Sequence, residues 1–209
     1  MSNQLRPTPV VREEFPERQL PDPPVNPQLL WPSIKYEKGI KNQDSLFFPN
    51  KENVRKRYNA SDTVLKLVAF EEAVMKAEVC ILVLDLHFDA SGYQAIENAI
   101  PSSEANDIRL LTGSSIEKGK RDQLRIELTQ YCNLYRDIPQ REVLWKASLD
   151  KHLFPFPHDR FAIVDGALWH FGSTVGGGHS GLTAASGPWS ARKTRAKEFF
   201  EECWRIYNA

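Results

Sequence analysis

The sequence predicts a layered α/β domain over residues 61–209, preceded by an extended, proline-rich arm over residues 1–60. Three observations support this fold class. Short apolar runs typical of buried strands alternate with longer segments in which apolar residues recur at helical spacing. An Asp-Gly dipeptide joins two adjacent apolar runs, which indicates a hairpin. Nine of the 14 prolines lie within the first 60 residues, where they oppose both helices and central strands.

The arm carries two apolar patches in an otherwise polar, proline-rich context. They are Leu29-Leu30-Trp31 and Phe47-Phe48-Pro49. Apolar side chains of this size are seldom left in water. We expect them to pack onto the chain's own core, and docking onto a protein partner is the alternative.

The first half of the domain alternates helix and strand. Ser61 or Asp62 is expected to cap a helix whose apolar side chains, up to Met75, recur at helical spacing. The unbroken apolar run at 79–85 is typical of a central strand. A second helix is expected at 90–100, where the next residue is a proline that stops it.

The second half continues the alternation. A strand is predicted at 108–112 and another at 142–147, with a long amphipathic helix at 118–135 between them. The apolar stripe of that helix is Leu124, Leu128 and Tyr131.

A hairpin and a helix complete the domain. Strands are predicted at 160–164 and 167–171, joined by Asp165-Gly166. The closing helix is predicted at 192–207, and the side chains that it is expected to bury are Phe199, Phe200 and Trp204.

Composition narrows the class of protein. Lys+Arg and Asp+Glu both number 27, so the chain lacks the bulk charge of a strongly basic nucleic-acid binder, although local patches are compatible with it. The N-terminus has no apolar signal core, and no run has the length of a membrane span. The three cysteines are far apart and form no CxxC pair. We therefore expect a cytoplasmic protein that has free thiols and does not associate with membranes.

The most informative motif lies in the predicted hairpin. It runs His158-Asp159-Arg160-Phe161-Ala162-Ile163-Val164-Asp165 and is followed by Gly172-Ser173. Side chains alternate along a strand, so the imidazole of His158 and the guanidinium of Arg160 share one face. A neutral imidazole can attack phosphorus, and a guanidinium can hold phosphate oxygens in bidentate fashion.

The remaining motif residues have supporting roles in this interpretation. Asp165, at the turn and of opposite parity, is expected to be a structural or orienting acid rather than a reacting group. Gly172 and Ser173 offer backbone amides and a hydroxyl to the same phosphate. His170 and His179 are accessory candidates, and an incidental position is the favoured interpretation for each.

The spacing HxRx4Dx6GS resembles the HxKx4Dx6GS signature of the phospholipase D superfamily. The resemblance implies a layered α/β/α domain with a mixed central sheet and metal-independent phosphodiester chemistry that needs no cofactor. It also implies that His158 is the nucleophile or acid, that Arg160 replaces the phosphate-binding lysine, and that Asp165 and Ser173 match the motif aspartate and serine. Because the chain has one motif copy, the resemblance further implies a homodimer that pairs two copies in one active site.

Two departures from the family pattern keep a second function open. Arginine stands for lysine at 160, and Val175 occupies the position of the family's asparagine. The first hypothesis is a phosphodiesterase acting on nucleic acid. The second is a catalytically inactive module of the same fold that binds a protein or a nucleic acid. A lipid-modifying enzyme ranks third, because the sequence shows no basic amphipathic membrane helix.

A second polar cluster, Asp85, His87 and Asp89, follows the predicted central strand. Its oxygen and imidazole groups are compatible with a divalent metal. Termination of the strand by polar groups is the favoured interpretation, since no second ligand cluster occurs at a recognisable spacing.

Overall fold

A computed structural model describes residues 26–32, 44–52, 54–55, 67–113, 116–134, 141–147, 149, 159–176 and 183–205. Within these ranges the chain forms one seven-stranded mixed sheet and four α-helices, which confirms the predicted mixed α/β fold. The strands are β1 (Gln28–Leu30), β2 (Cys80–Asp85), β3 (Asp107–Thr112), β4 (Val143–Ala147), β5 (Arg160–Val164), β6 (Ala167–Phe171) and β7 (Ala185–Ser190). The helices are α1 (Val68–Met75), α2 (Ala90–Glu97), α3 (Lys118–Asn133) and α4 (Ala196–Arg205), with a 3₁₀ turn at Ile100–Ser102.

The order of strands across the sheet is β1-β7-β6-β5-β2-β3-β4. Strands β2, β3 and β4 are parallel, whereas β5 runs antiparallel to β2, and β6, β7 and β1 continue antiparallel. The ends of β2, β3 and β4 therefore lie at the same edge of the sheet as the start of β5, the end of β6 and the start of β7. We call this edge the carboxyl edge.

Helices cover both faces of the sheet, which makes three layers. Along β2, Ile81 and Val83 belong to a core cluster that includes side chains of α1, α2 and α3. The alternate residues Leu82 and Leu84 pack in a second cluster with Phe200 and other side chains of α4. These four side chains are fully buried, so β2 lies at the centre of both cores. Because side chains alternate along a strand, successive residues of β2 face opposite helical layers.

Helix α1 begins at Val68, later than the sequence suggests. Leu67 occupies the position before the helix and its side chain makes no capping hydrogen bond. Instead, the two carboxylate oxygens of Asp44 accept the N–H groups of Val68, at 3.0 Å, and Ala69, at 2.7 Å. Ser61 and Asp62, the predicted caps, lie outside the described residues.

Part of the proline-rich arm belongs to the sheet. Strand β1 pairs with β7, and Leu30 is buried in the larger core cluster, as expected for the first apolar patch. The second patch does not pack in this way, because Phe47 is 81% exposed and Phe48 is 73% exposed. One face of Phe48 meets Trp31, with ring centroids 5.1 Å apart. The proposed boundary at residues 60/61 stays a prediction.

Two expectations about buried side chains are wrong, and one strand was not predicted. Tyr131 on α3 and Phe199 on α4 are 51% and 41% exposed, because each lies at the flank of its helix rather than on the buried stripe. Strand β7 was not expected at all. Its sequence, ASGPWS, combines small residues with Gly187 and Pro188, which disfavour strands when read locally.

Candidate functional site

Arg160 begins β5 at the carboxyl edge, directly beside the residue that ends β2. That neighbour is Asp85, whose Oδ1 lies 3.7 Å from the guanidinium Nε. The Arg160 side chain is 23% exposed, whereas that of Asp85 is fully buried. The Nε atom of Arg160 is itself buried and has no hydrogen-bond partner among the described residues. The guanidinium is thus held at the surface with its Nε buried.

The carboxylate of Asp85 binds two backbone segments besides facing Arg160. Its Oδ2 accepts the N–H of Val175 at 2.9 Å, and its Oδ1 accepts the N–H of His87 at 2.8 Å. Burial raises the pKa of Asp85 to about 6, although these two hydrogen bonds and the charge of Arg160 oppose the rise. Asp85 is therefore an ionisable group at the base of the site rather than a surface acid.

The segment that follows β6 lies against this carboxylate and is tightly packed. Gly172 donates its N–H to the carbonyl of Ala184 at 3.0 Å, which ties the end of β6 to the start of β7. Ser173 Oγ lies 2.6 Å from Thr183 Oγ1. Gly176 has a φ of +91°, and a Cβ placed there would lie 2.4 Å from the Cβ of Ala95. Only glycine fits at that position.

Asp165 lies at the opposite end of β5 from Arg160, about 16 Å away for five residues of extended chain. Its Oδ1 accepts the N–H groups of Val79 and Cys80, at 2.8 and 2.9 Å, and its Oδ2 accepts that of Glu78 at 2.7 Å. The carboxylate fixes the chain that enters β2. Its position does not support grouping it with the catalytic residues, and it agrees with a structural or orienting acid.

Of the three histidines that the sequence suggested for the site, one lies on the other face of the sheet and two lie outside the described residues. His170 pairs with Phe161 across β5 and β6, so it faces the α4 side, whereas Arg160 faces the α1–α3 side. Its Nε2 lies 3.2 Å from Asp159 Oδ1. The structure therefore does not bring His170 to Arg160. His158, which is bonded to Asp159, and His179 lie outside the described residues.

The DxHxD cluster acts as a strand ending. Asp85 binds the backbone as described above, and Asp89 Oδ1 accepts the N–H of Gly92 at 3.1 Å in the first turn of α2. His87 is exposed. Across the described ranges, no group of three or more His, Cys, Asp or Glu side chains has the geometry of a metal site.

Of the predicted site residues, the described structure brings Arg160, Gly172 and Ser173 to one edge. Sequence reasoning missed the role of Asp85 beside Arg160. It noted Asp85 only as a metal ligand or a strand end. The pairing of β2 with β5 joins residues about 80 positions apart, and no local spacing encodes that pairing.

Comparisons with known proteins leave the family open. No protein-family model matches the sequence, and no curated protein matches it either. Among solved structures, the fold is similar to that of TrmBL2, described as an archaeal chromatin protein with a novel mode of DNA binding, with a TM-score of 0.42 and 14% identity. The match covers 66% of this chain and 48% of the other, so the chain spans about half the length of that protein. A likeness this weak carries no argument about function.

No helix in the described part of the chain is long and apolar enough to cross a membrane.

Proposed function

We propose that the chain is a phospholipase D-like phosphodiesterase that cleaves nucleic acid at the carboxyl edge without a metal. The observation that carries this proposal is the state of Arg160. Its side chain is 23% exposed at the sheet edge to which Gly172 and Ser173 also belong. A phosphate, which presents several acceptor oxygens, can pair with the part of the guanidinium that solvent reaches. His158 precedes Arg160 by two residues.

The chemistry assigned to these groups is a two-step displacement. A ring nitrogen of His158 attacks phosphorus, a P–N bond forms, and the P–O bond to the leaving group breaks. The leaving oxygen takes its proton from the His158 imidazolium of a second copy. That histidine, then neutral, removes a proton from the water that cleaves the P–N bond. Arg160 offsets the charge that develops on the non-bridging oxygens.

This scheme requires two copies of the chain, because one copy supplies one motif. The proposal requires a two-fold axis that brings both histidines to one phosphate. The proposal therefore includes a homodimer, and a monomer in solution under conditions of full activity contradicts it.

A cleavage assay tests the proposal. The full chain is incubated with single- and double-stranded DNA and RNA oligonucleotides in EDTA. We expect metal-independent cleavage that is lost in His158→Ala and in Arg160→Ala. The matched control is His170→Ala, which removes an exposed histidine from the opposite face of the sheet and should leave the rate unchanged. Cleavage that survives His158→Ala would falsify the mechanism.

The second candidate is an inactive module of the same fold that binds a partner. The favouring observation is the exposed pair Phe47 and Phe48, since large aromatic side chains in water often mark a binding surface. It predicts that oligonucleotides or a protein bind without turnover. In that case Phe47→Ser with Phe48→Ser abolishes partner binding, whereas His158→Ala has no effect.

A further inference from the structure

The carboxylate of Asp85 connects three separate parts of the carboxyl edge. It binds the N–H of His87 in the turn after β2, the N–H of Val175 in the segment after β6, and faces the guanidinium of Arg160 at 3.7 Å. These groups come from distant parts of the sequence. No other described carboxylate lies within 4.0 Å of the Arg160 guanidinium.

Burial of a carboxylate is costly, so its presence here needs a compensating role. Asp85 is fully buried, and a neutral polar residue would end the strand at a smaller desolvation cost. The carboxylate has two acceptor oxygens, and each already accepts one backbone N–H. An amide side chain of the same shape lacks one of these acceptors and also lacks the negative charge opposite Arg160. The two backbone bonds account for the two acceptor oxygens, and the negative charge acts in addition on the guanidinium, 3.7 Å away.

We propose that Asp85 is a positioning residue of the phosphodiester site, which holds Arg160 and the Gly172–Gly176 segment in a fixed relation to each other. Its ionic contact directs the guanidinium along the edge. Its bond to Val175 keeps the segment that carries Ser173 beside that guanidinium. The residue does not touch the substrate. This inference rests on the proposed function where it is tested by oligonucleotide binding. Where it is tested by spectroscopy, it rests on the geometry alone.

Among the residues that the structure describes, three charged or titratable side chains lie near Asp85. Arg160 faces it from β5, and Asp89 approaches from the start of α2. His87 lies two residues further along the chain and is exposed. From β3 the neighbouring side chain at the edge is Thr112, whose Oγ1 accepts the indole N–H of Trp145 at 2.9 Å, so that side contributes no charge.

The first test measures oligonucleotide binding. Fluorescence anisotropy in EDTA compares the affinity of the full chain with that of Asp85→Asn, which has a similar shape, no charge and one acceptor fewer. We expect a loss of affinity on the order of tenfold, as for other residues that orient a binding group. The matched control, Asp89→Asn, removes the same charge four residues further along the chain and preserves a capping side chain. It should change the affinity less than about twofold.

Arg160→Ala completes a double-mutant cycle. If Asp85 acts through Arg160, the double variant binds no more weakly than Arg160→Ala alone. An Asp85→Asn variant that binds as tightly as the native chain, or more tightly, overturns the inference, because Asp85 then only weakens the positive charge of Arg160.

The second test needs no activity and no ligand. The Nε–H resonance of Arg160, assigned by its loss in Arg160→Lys, is followed by NMR between pH 4.5 and 8. We expect it to shift with a midpoint near the pKa of Asp85, about 6, and to stay constant in Asp85→Asn. A resonance that does not move in the native chain overturns the inference even if Asp85→Asn fails to fold. A native chain that shows this shift and binds no oligonucleotide contradicts the proposed function and leaves the positioning role intact.

Discussion

Replacement of Asp165 distinguishes a structural acid from a reacting one. The carboxylate accepts three backbone N–H groups at 2.7 to 2.9 Å, from Glu78, Val79 and Cys80. Its backbone has a φ of +54°, a region that Asp and Asn tolerate better than most residues. Asp165→Asn preserves the shape and the backbone preference but removes the charge and one acceptor. Asp165→Ala removes all three bonds.

The expected magnitudes follow from these contacts. A hydrogen bond to a charged group contributes about 1.5–3 kcal/mol. The N–H of Glu78 is exposed and can bind water after the change, whereas that of Cys80 is buried. We therefore expect Asp165→Ala to lower the free energy of unfolding by about 4 kcal/mol. For Asp165→Asn the expected loss is about 2 kcal/mol, because the oxygen that serves Val79 and Cys80 remains.

Urea denaturation followed by circular dichroism measures both losses. For a domain of this size, 2 kcal/mol corresponds to a shift of the midpoint of about 1 M urea. The activity of the folded fraction of Asp165→Asn should match that of the native chain, since the side chain lies at the opposite end of β5. If instead the midpoint stays within about 0.2 M of the native value and the activity disappears, the structural assignment of Asp165 is wrong.

Three further predictions concern stability. Burial raises the pKa of Asp85 from 3.8 to about 6, so its contribution to stability is fully present below pH 3.8 and is lost as the pH rises through 6. The free energy of unfolding of the native chain minus that of Asp85→Asn should therefore fall by about 2 kcal/mol between pH 4 and 7, measured by urea titration at each pH. Gly176→Ala should cost more than about 2 kcal/mol in the same assay, because it adds a Cβ at a positive φ against Ala95, and an unchanged midpoint contradicts this reasoning. Asp44→Ala should cost about 1–2 kcal/mol and Asp44→Asn less, as measured by thermal melting, because Asp44 caps α1; equal losses would show that its charge matters more than its acceptors.

The parts of the fold that could be predicted are those in which the signal is local. The apolar run of β2, the helical period of α3 and the Asp-Gly hairpin between β5 and β6 each occupy fewer than 20 consecutive residues. Strand β7 and the cap of α1 could not be predicted in this way. Strand β7 consists of residues that become a strand only because β6 and β1 lie on either side of them. The cap of α1 depends on the carboxylate of Asp44, 24 residues before the helix.

The candidate site shows the same division. Arg160, Gly172 and Ser173 were found because the motif lies on one hairpin, and hairpin partners are close in sequence. The contact of Asp85 with Arg160 was missed because the two residues lie about 75 positions apart on different strands. The charge next to Arg160 also changes how the motif is interpreted. An arginine in place of lysine is usually a bulkier and less exact substitute at a phosphate site. Here a buried carboxylate can direct the larger guanidinium from behind, so the change at 160 and the acid at 85 are best understood as one unit.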